Sequence, residues 1–346
     1  MRFGLSIPTL TGFARGAGPA RAWRERYERA YEICARAEEL GFTLGTIGQH
    51  RFTPGYVDSS APLVSLAAVA ARTSTLRLCT NILLLPTHDP LEIAEQAAVL
   101  DEVSDGRLVL GVGIGYRPYE FDKIGLDYRR RAARAEAAID VLRRAWSGKP
   151  VVVDGEFFRI DGPEVAPAPV QDAGPPIWIG ARADAAVARA ARVGDGWLTD
   201  NTESVLSLGP KIARYRKAAA SHGRPHDVAL NRRVGIADSR RSVEDGWLQR
   251  YAETIRRYLD SGLTFDDPSF VETVTSGERR TLADIPAGRL IAGDPDDCIQ
   301  AVELCASATD ADYIVCDFGR GAHGADYQRL SKSIELFGRE VMPAFR

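Results

Sequence analysis

Side chains able to do chemistry at the end of an apolar run are concentrated in four places in this chain. His50 closes the run Thr43–Gln49, and Asn81 lies inside Leu76–Leu85. Gly111, Gly113 and Gly115 punctuate Arg107–Tyr116, and Gly180-Ala181-Arg182 follows Pro176. An imidazole carries protons near neutral pH. Glycines leave backbone bare where something flat or bulky approaches. A helix start presents N–H groups to an anion, and Arg182 adds a cation, so the fourth place fits a phosphate. Together the four fit a phosphorylated cofactor of flavin size. Each also has a plainer reading: His50 as a strand-end imidazole bonded to a neighbour, Arg182 as a solvated cation.

Other chemistries find little support. The histidines are His50, His88, His222, His226 and His323. None forms HxH or HExxH, and Gly223 and Pro225 interrupt the helical spacing of His222 and His226, which argues against a metal. No Gly-x-Ser-x-Gly elbow is present. Asp200 and Asp317 stand at strand ends without making a clear glycosidase pair. The glycines around Gly113 do not open a dinucleotide-binding helix. The net charge is −3, and basic residues alternate with acids, as in Arg24-Glu25-Arg26-Tyr27-Glu28-Arg29, so no nucleic-acid surface is implied. Five cysteines without a CxxC pair predict reduced thiols and a cytoplasmic setting. No run approaches the roughly 18 apolar residues of a membrane span.

The elements that must position these residues alternate. Strands are expected at Arg2–Ile7, Thr43–Gln49, Leu76–Leu85, Arg107–Tyr116, Pro176–Gly180, Gly196–Thr199, Val228–Ile236 and Ala311–Asp317. Short apolar strands suit a parallel sheet covered by helices. Asp89-Pro90 with Glu92, and Asp294-Pro295-Asp296-Asp297, are helix starts. Tyr27, Ala30, Cys34 and Ala37 share one helical face that stops at Gly41, and Ala135, Ile139, Leu142 and Trp146 share another. Asp154-Gly155 marks a small hairpin. The chain therefore reads as one α/β domain over residues 1–346, a (β/α)8 TIM barrel with its site at the C-terminal ends of the strands. Residues 239–289 interrupt the alternation and read as an insertion after the seventh strand, placed to act as a lid.

Several segments, in this order, resemble the bacterial luciferase-like family of flavin-dependent monooxygenases. They are Gly48-Gln49-His50-Arg51-Phe52-Thr53-Pro54, Leu83-Leu84-Leu85-Pro86-Thr87-His88-Asp89-Pro90, and Ser104 through Phe121. Pro175 through Gly180, Gly194-Asp195-Gly196-Trp197, and Leu336 through Pro343 complete the set. The resemblance spans nearly the whole chain. It implies a TIM barrel that takes reduced FMN and O2, the oxygen adding to the flavin as a C4a-peroxide. A separate NAD(P)H:flavin reductase supplies the flavin transiently.

Residue by residue, the resemblance makes His50 the catalytic imidazole beside the flavin. Where relatives carry Glu-His-His-Phe, this chain has Gln49-His50-Arg51-Phe52, which removes the acid expected next to His50. Asn81 falls where the family often has a non-proline cis peptide, predicting cis Asn81–Ile82. Gly113, Ile114 and Gly115 match the cofactor-binding end of the fourth strand. FMN-binding relatives often have arginine at the place of Ile114. Arg131, Arg134 or Arg182, with Gly180 and Ala181, would then hold the phosphate, and loosely held flavin is expected. Phe52, Tyr56 and Tyr116, with Trp197, would line a pocket for an apolar or aromatic substrate. The resemblance also implies a homodimer. Its alternatives are an F420-dependent oxidoreductase of the same superfamily and a non-catalytic flavin-binding subunit.

Overall fold

Eight short strands, all parallel, close on themselves. They are β1 (Arg2–Ser6), β2 (Leu44–Ile47), β3 (Arg77–Thr80), β4 (Leu108–Gly113), β5 (Ile177–Gly180), β6 (Gly196–Leu198), β7 (Asp227–Ile236) and β8 (Tyr313–Asp317). Each bonds the next in sequence, and β8 bonds β1 through Arg2↔Tyr313 to Leu5↔Cys316. The computed structural model describes residues 1–8, 21–52, 59–260, 262–278, 280–319 and 327–346. It bears out the expected TIM barrel.

The strands form where apolar residues run unbroken, because both faces are covered: the outer by helices, the inner by the opposite strands. Leu44, Cys79, Val109, Trp178, Leu198, Ala229, Tyr313 and Val315 make one buried cluster inside the barrel. A much larger cluster lies between barrel and helices. Side chains alternate along a strand, so two residues beyond each of these lies another inward position nearer the C-terminal mouth. That parity brings Thr46, Asn81, Gly111, Gly180 and Asn231 inward. A further step brings Gly113, Arg233 and Asp317.

Both helix starts are as expected. Asp89 accepts from the Leu91 and Glu92 N–H groups. Asp294 and Asp297 form a capping box. The hairpin pairs Val152–Asp154 with Arg159–Asp161, its turn spanning residues 155–158. The expected run Leu76–Leu85 is broken: β3 ends at Thr80, Leu83–Leu84 forms a separate two-residue strand beside β4, and a 3-10 turn follows.

The insertion is more ordered than a surface loop. A π-helical turn (Val243–Leu248) leads into helix Gln249–Asp260, and a further helix runs over Pro268–Thr275. Val243, Trp247, Leu248, Tyr251, Ile255, Phe270 and Val274 give it a core of its own. Its return strand, Leu290–Gly293, pairs with the upper half of β7 from Arg233↔Leu290 to Ile236↔Gly293. That strand and the helix at Pro268 were not anticipated: four residues between Arg289 and a helix cap carry too little periodicity to stand out.

Candidate active site at the C-terminal mouth of the barrel

The floor of the mouth is Ile82. The Asn81–Ile82 peptide is cis, as the resemblance implied. Ile82 caps the barrel's inner cluster. A Cβ on Gly113 would lie 2.4 Å from Ile82 Cδ1, and one on Gly180 would lie 2.7 Å from Ile82 Cγ2. Gly111 faces a tighter limit, because its Cβ would lie 1.7 Å from the Thr80 carbonyl oxygen. The glycines are therefore required first by the protein's own packing around the β3 bend. Gly115 is different: its φ of +74° turns the chain out of β4.

The Asn81 amide is committed across the barrel. Its Nδ2 donates to Asn231 Oδ1 at 2.7 Å, and Asn231 in turn donates to the Thr199 carbonyl. β3, β6 and β7 are thus tied at the same depth. Asn231 escaped notice in the sequence, although Asn231-Arg232-Arg233 inside an apolar strand is a signal, since buried polar residues need partners.

His50 sits just above, its N–H donating to the Ser59 carbonyl oxygen at 3.2 Å. Its ring packs edge-on to Tyr116 with centroids 6.3 Å apart. Its Nδ1 lies 3.9 Å from Glu120 Oε1. Glu120 is 1% exposed and comes from the short helix Pro118–Asp122, which β4 delivers through Gly115 and Tyr116. The same oxygen accepts the Arg51 N–H at 2.9 Å. An acid therefore does face His50, from the fourth βα loop instead of from position 49.

Gln49 is a structural residue. It donates to the Ser60 carbonyl, accepts the Leu84 N–H, and meets His88 Nε2 at 3.1 Å. Burial, with Arg51 nearby, pushes the His88 imidazole down to about 4, so it stays neutral. Arg51 donates to the Thr87 carbonyl at 3.0 Å and lies over the Phe52 ring.

The expected phosphate arginines are engaged elsewhere. Arg182 donates to the Thr264 carbonyl and hydroxyl of the insertion and lies 4.0 Å from Asp200. Arg131 donates to the Gly115 and Tyr128 carbonyls, and Arg134 to that of Pro86. Helix Asp184–Val193, which follows Gly180 and Ala181, has no side-chain cap at its N-terminus. Its leading N–H groups are therefore open to donate to an anion, with Asp184 in the first turn beside them. Ile114 lies between Gly113 and Gly115, half-buried at the end of β4.

The far wall comes from β7, β8 and the insertion. Arg233 pairs with Asp317 at 2.8 Å and donates to the Tyr258 hydroxyl. Burial pushes the Tyr116 phenol up to about 12, so it stays protonated. Phe52 is 49% exposed, with φ of 58°. Tyr56 lies outside the described residues. Trp197 does not line the pocket: it is fully buried and donates to the Ala181 carbonyl at 2.8 Å. No group of metal-ligating side chains occurs among the described residues.

Comparison with known proteins agrees with the barrel fold. The family model described as luciferase-like monooxygenase matches residues 1–311. A 4-hydroxyprotoasukamycin monooxygenase of Streptomyces nodosus subsp. asukaensis is 29% identical over 338 residues, covering 92% of this chain and 86% of that protein. An F420-dependent glucose-6-phosphate dehydrogenase of Nocardia farcinica is 28% identical over 326 residues, covering 91% and 93%. Monooxygenase RslO1 from Streptomyces bottropensis superposes over the whole of both chains with a TM-score of 0.83 at 24% identity. The chain belongs to the luciferase-like monooxygenase family, a superfamily of oxidoreductases that also holds F420-dependent relatives.

Proposed function

We propose that this protein is a monooxygenase that uses reduced FMN and O2 to oxidise a small apolar or aromatic substrate. A separate NAD(P)H:flavin reductase would deliver the flavin, and both would work in the cytoplasm. The observation that carries this reading is the mouth itself: an apolar Ile82 floor, seated against Gly113 and Gly180 because neither carries a side chain, and His50 alongside. Those surfaces fit a planar ring system. The N-terminus of helix Asp184–Val193, beyond Gly180 and Ala181, fits its phosphate.

Reduced flavin, when bound, would supply the two electrons that activate O2, the oxidant. The protein's share is to orient, to exclude water and to manage protons. Ile82, Gly113, Ile114, Gly115 and Gly180 would hold the ring, while Tyr116 and Phe52 would face the substrate. His50 would exchange the proton. Arg131, Arg134 and Arg182 are each already bonded to carbonyls, which supports loose, exchangeable flavin. Relative to a charge-assisted arginine contact, the loss is about 1.5–3 kcal/mol.

The test is titration with FMN, FMNH2 and F420, with oxygen uptake followed in the presence of a flavin reductase. Micromolar FMNH2 binding and substrate-dependent oxygen uptake are expected. A second reading, F420-dependent hydride transfer, draws on the F420-dependent relative that covers 91% of this chain. Tight F420 binding with turnover insensitive to oxygen would establish it and overturn the first.

A homodimer is also proposed. The neighbouring helices Pro62–Ala70 and Pro90–Val103 expose Val64, Val99 and Val103 outward, and Pro62–Ala70 carries no charged residue. A surface helix that is apolar all round calls for a second partner.

A further inference from the structure

We infer that Glu120 is a positioning residue for His50, taking the part of the acid that Gln49 cannot play; this rests on the mouth being the catalytic site. Glu120 is among the most deeply buried carboxylates of the described residues, on a helix of only five residues that buries it together with Phe121. A buried carboxylate is retained where it has charged or hydrogen-bonded partners. Here one oxygen serves two: Oε1 accepts the Arg51 N–H at 2.9 Å and faces His50 Nδ1 at 3.9 Å. The first contact holds the oxygen in place; the second is longer than a hydrogen bond and leaves the buried Nδ1 facing that oxygen across a gap that a small shift of the ring closes.

The hydrogen on one imidazole nitrogen is set by the partner of the other. With Glu120 on the Nδ1 side, the neutral ring carries its hydrogen on Nδ1 and its electron pair on Nε2. Nε2 is then the atom that takes a proton, and the Glu120 charge stabilises the imidazolium that results. Tyr116 packs edge-on to the same ring. The device spans two βα loops, 70 positions apart, and neither Gln49 nor His88 contributes to it.

Nitrogen-15 histidine NMR of the cofactor-free protein tests this without any assumption about the reaction. His50 is assigned by its loss in His50→Ala. The wild-type spectrum is expected to show His50 in the Nδ1–H form; an Nε2–H form would overturn the proposal. Glu120→Ala should let His50 relax to the tautomer balance of the exposed His222 and His226 in the same spectrum. An unchanged balance in a folded Glu120→Ala protein would also overturn it. Glu120→Gln keeps an oxygen for Arg51 and so keeps both fold and tautomer, but removes the charge. Its kcat should fall at least fivefold while the flavin Kd stays within twofold; an unchanged kcat would count against the charge. If FMNH2 supports no turnover at all, the function reading fails while the tautomer measurement still decides the role of Glu120.

Discussion

The chemistry at the mouth comes down to single atoms whose neighbours leave little choice. Replacing His50 with Ala removes the only imidazole facing the mouth among the described residues. Turnover should fall about 10²–10⁴-fold, the range for loss of a general acid or base. Flavin affinity should change little, since the floor and walls are untouched; steady-state kinetics with a flavin-binding titration checks both. Gly113 offers a finer probe. Gly113→Ala would press on the Ile82 terminal methyl at 2.4 Å, which can move only by disturbing the floor. A cost of about 1–3 kcal/mol is expected, with weaker flavin binding. Gly111→Ala would meet the Thr80 carbonyl oxygen at 1.7 Å, a backbone atom that cannot swing away. Its thermal midpoint should drop further than that of Gly113→Ala, and the reverse order would contradict this packing.

At the scale of elements, the insertion behaves as a small packed unit docked on the rim. Trp247 stacks on Tyr251 at 5.2 Å and covers Gly235 of β7, where a Cβ would lie 2.4 Å from the indole. Tyr258 reaches Arg233, and Arg289 ties the return strand to Asp266 and to the Thr202 carbonyl. Trp247→Ala should cost about 3–5 kcal/mol, the range for an aromatic deleted from a core. The loss should be local: amide-exchange protection should collapse over residues 243–275 while the barrel strands stay protected. Uniform loss across the barrel would show that the insertion and barrel unfold as one. The segment expected to act as a lid is a packed helical unit with its own core, and its Tyr258 accepts from Arg233 of β7.

For the whole molecule, pH and association are the informative variables. His88 is held neutral in the folded chain at about 4, against an ordinary value of 6.5. Above pH 6.5 neither state protonates it. Between pH 6.5 and about 4 the unfolded chain takes a proton that the folded chain refuses, so stability falls as pH falls through this window. Allowing for its partial exposure, roughly 1–3 kcal/mol is at stake. His88→Gln, which keeps a donor for Gln49, should flatten the decline of the thermal midpoint over that range; an equal slope would place the titration elsewhere. Association is read by light scattering. The 37.7 kDa chain is expected at twice its mass, and Val64→Glu with Val99→Glu should return it to monomer. A monomeric wild type would leave those valines without the partner proposed for them.

The sequence by itself determined the eight barrel strands and their order. Apolar runs carrying His50, Asn81, Gly113 and Gly180 at or near their ends marked strands whose C-terminal ends gather at one mouth, and Asp89 and Asp294 announced their helices. These signals are local, written in spacing over a few residues. What only the tertiary structure decided is which distant residues meet. Glu120 replaces the missing acid at position 49, Ile82 fills the space that the glycines leave, and Asn231 takes up the Asn81 amide. Arg182 is claimed by Thr264, Trp197 by the core, and Leu290–Gly293 by β7. Such pairings depend on the closure and register of the barrel, which set distances between residues dozens to hundreds of positions apart, and no local pattern encodes them.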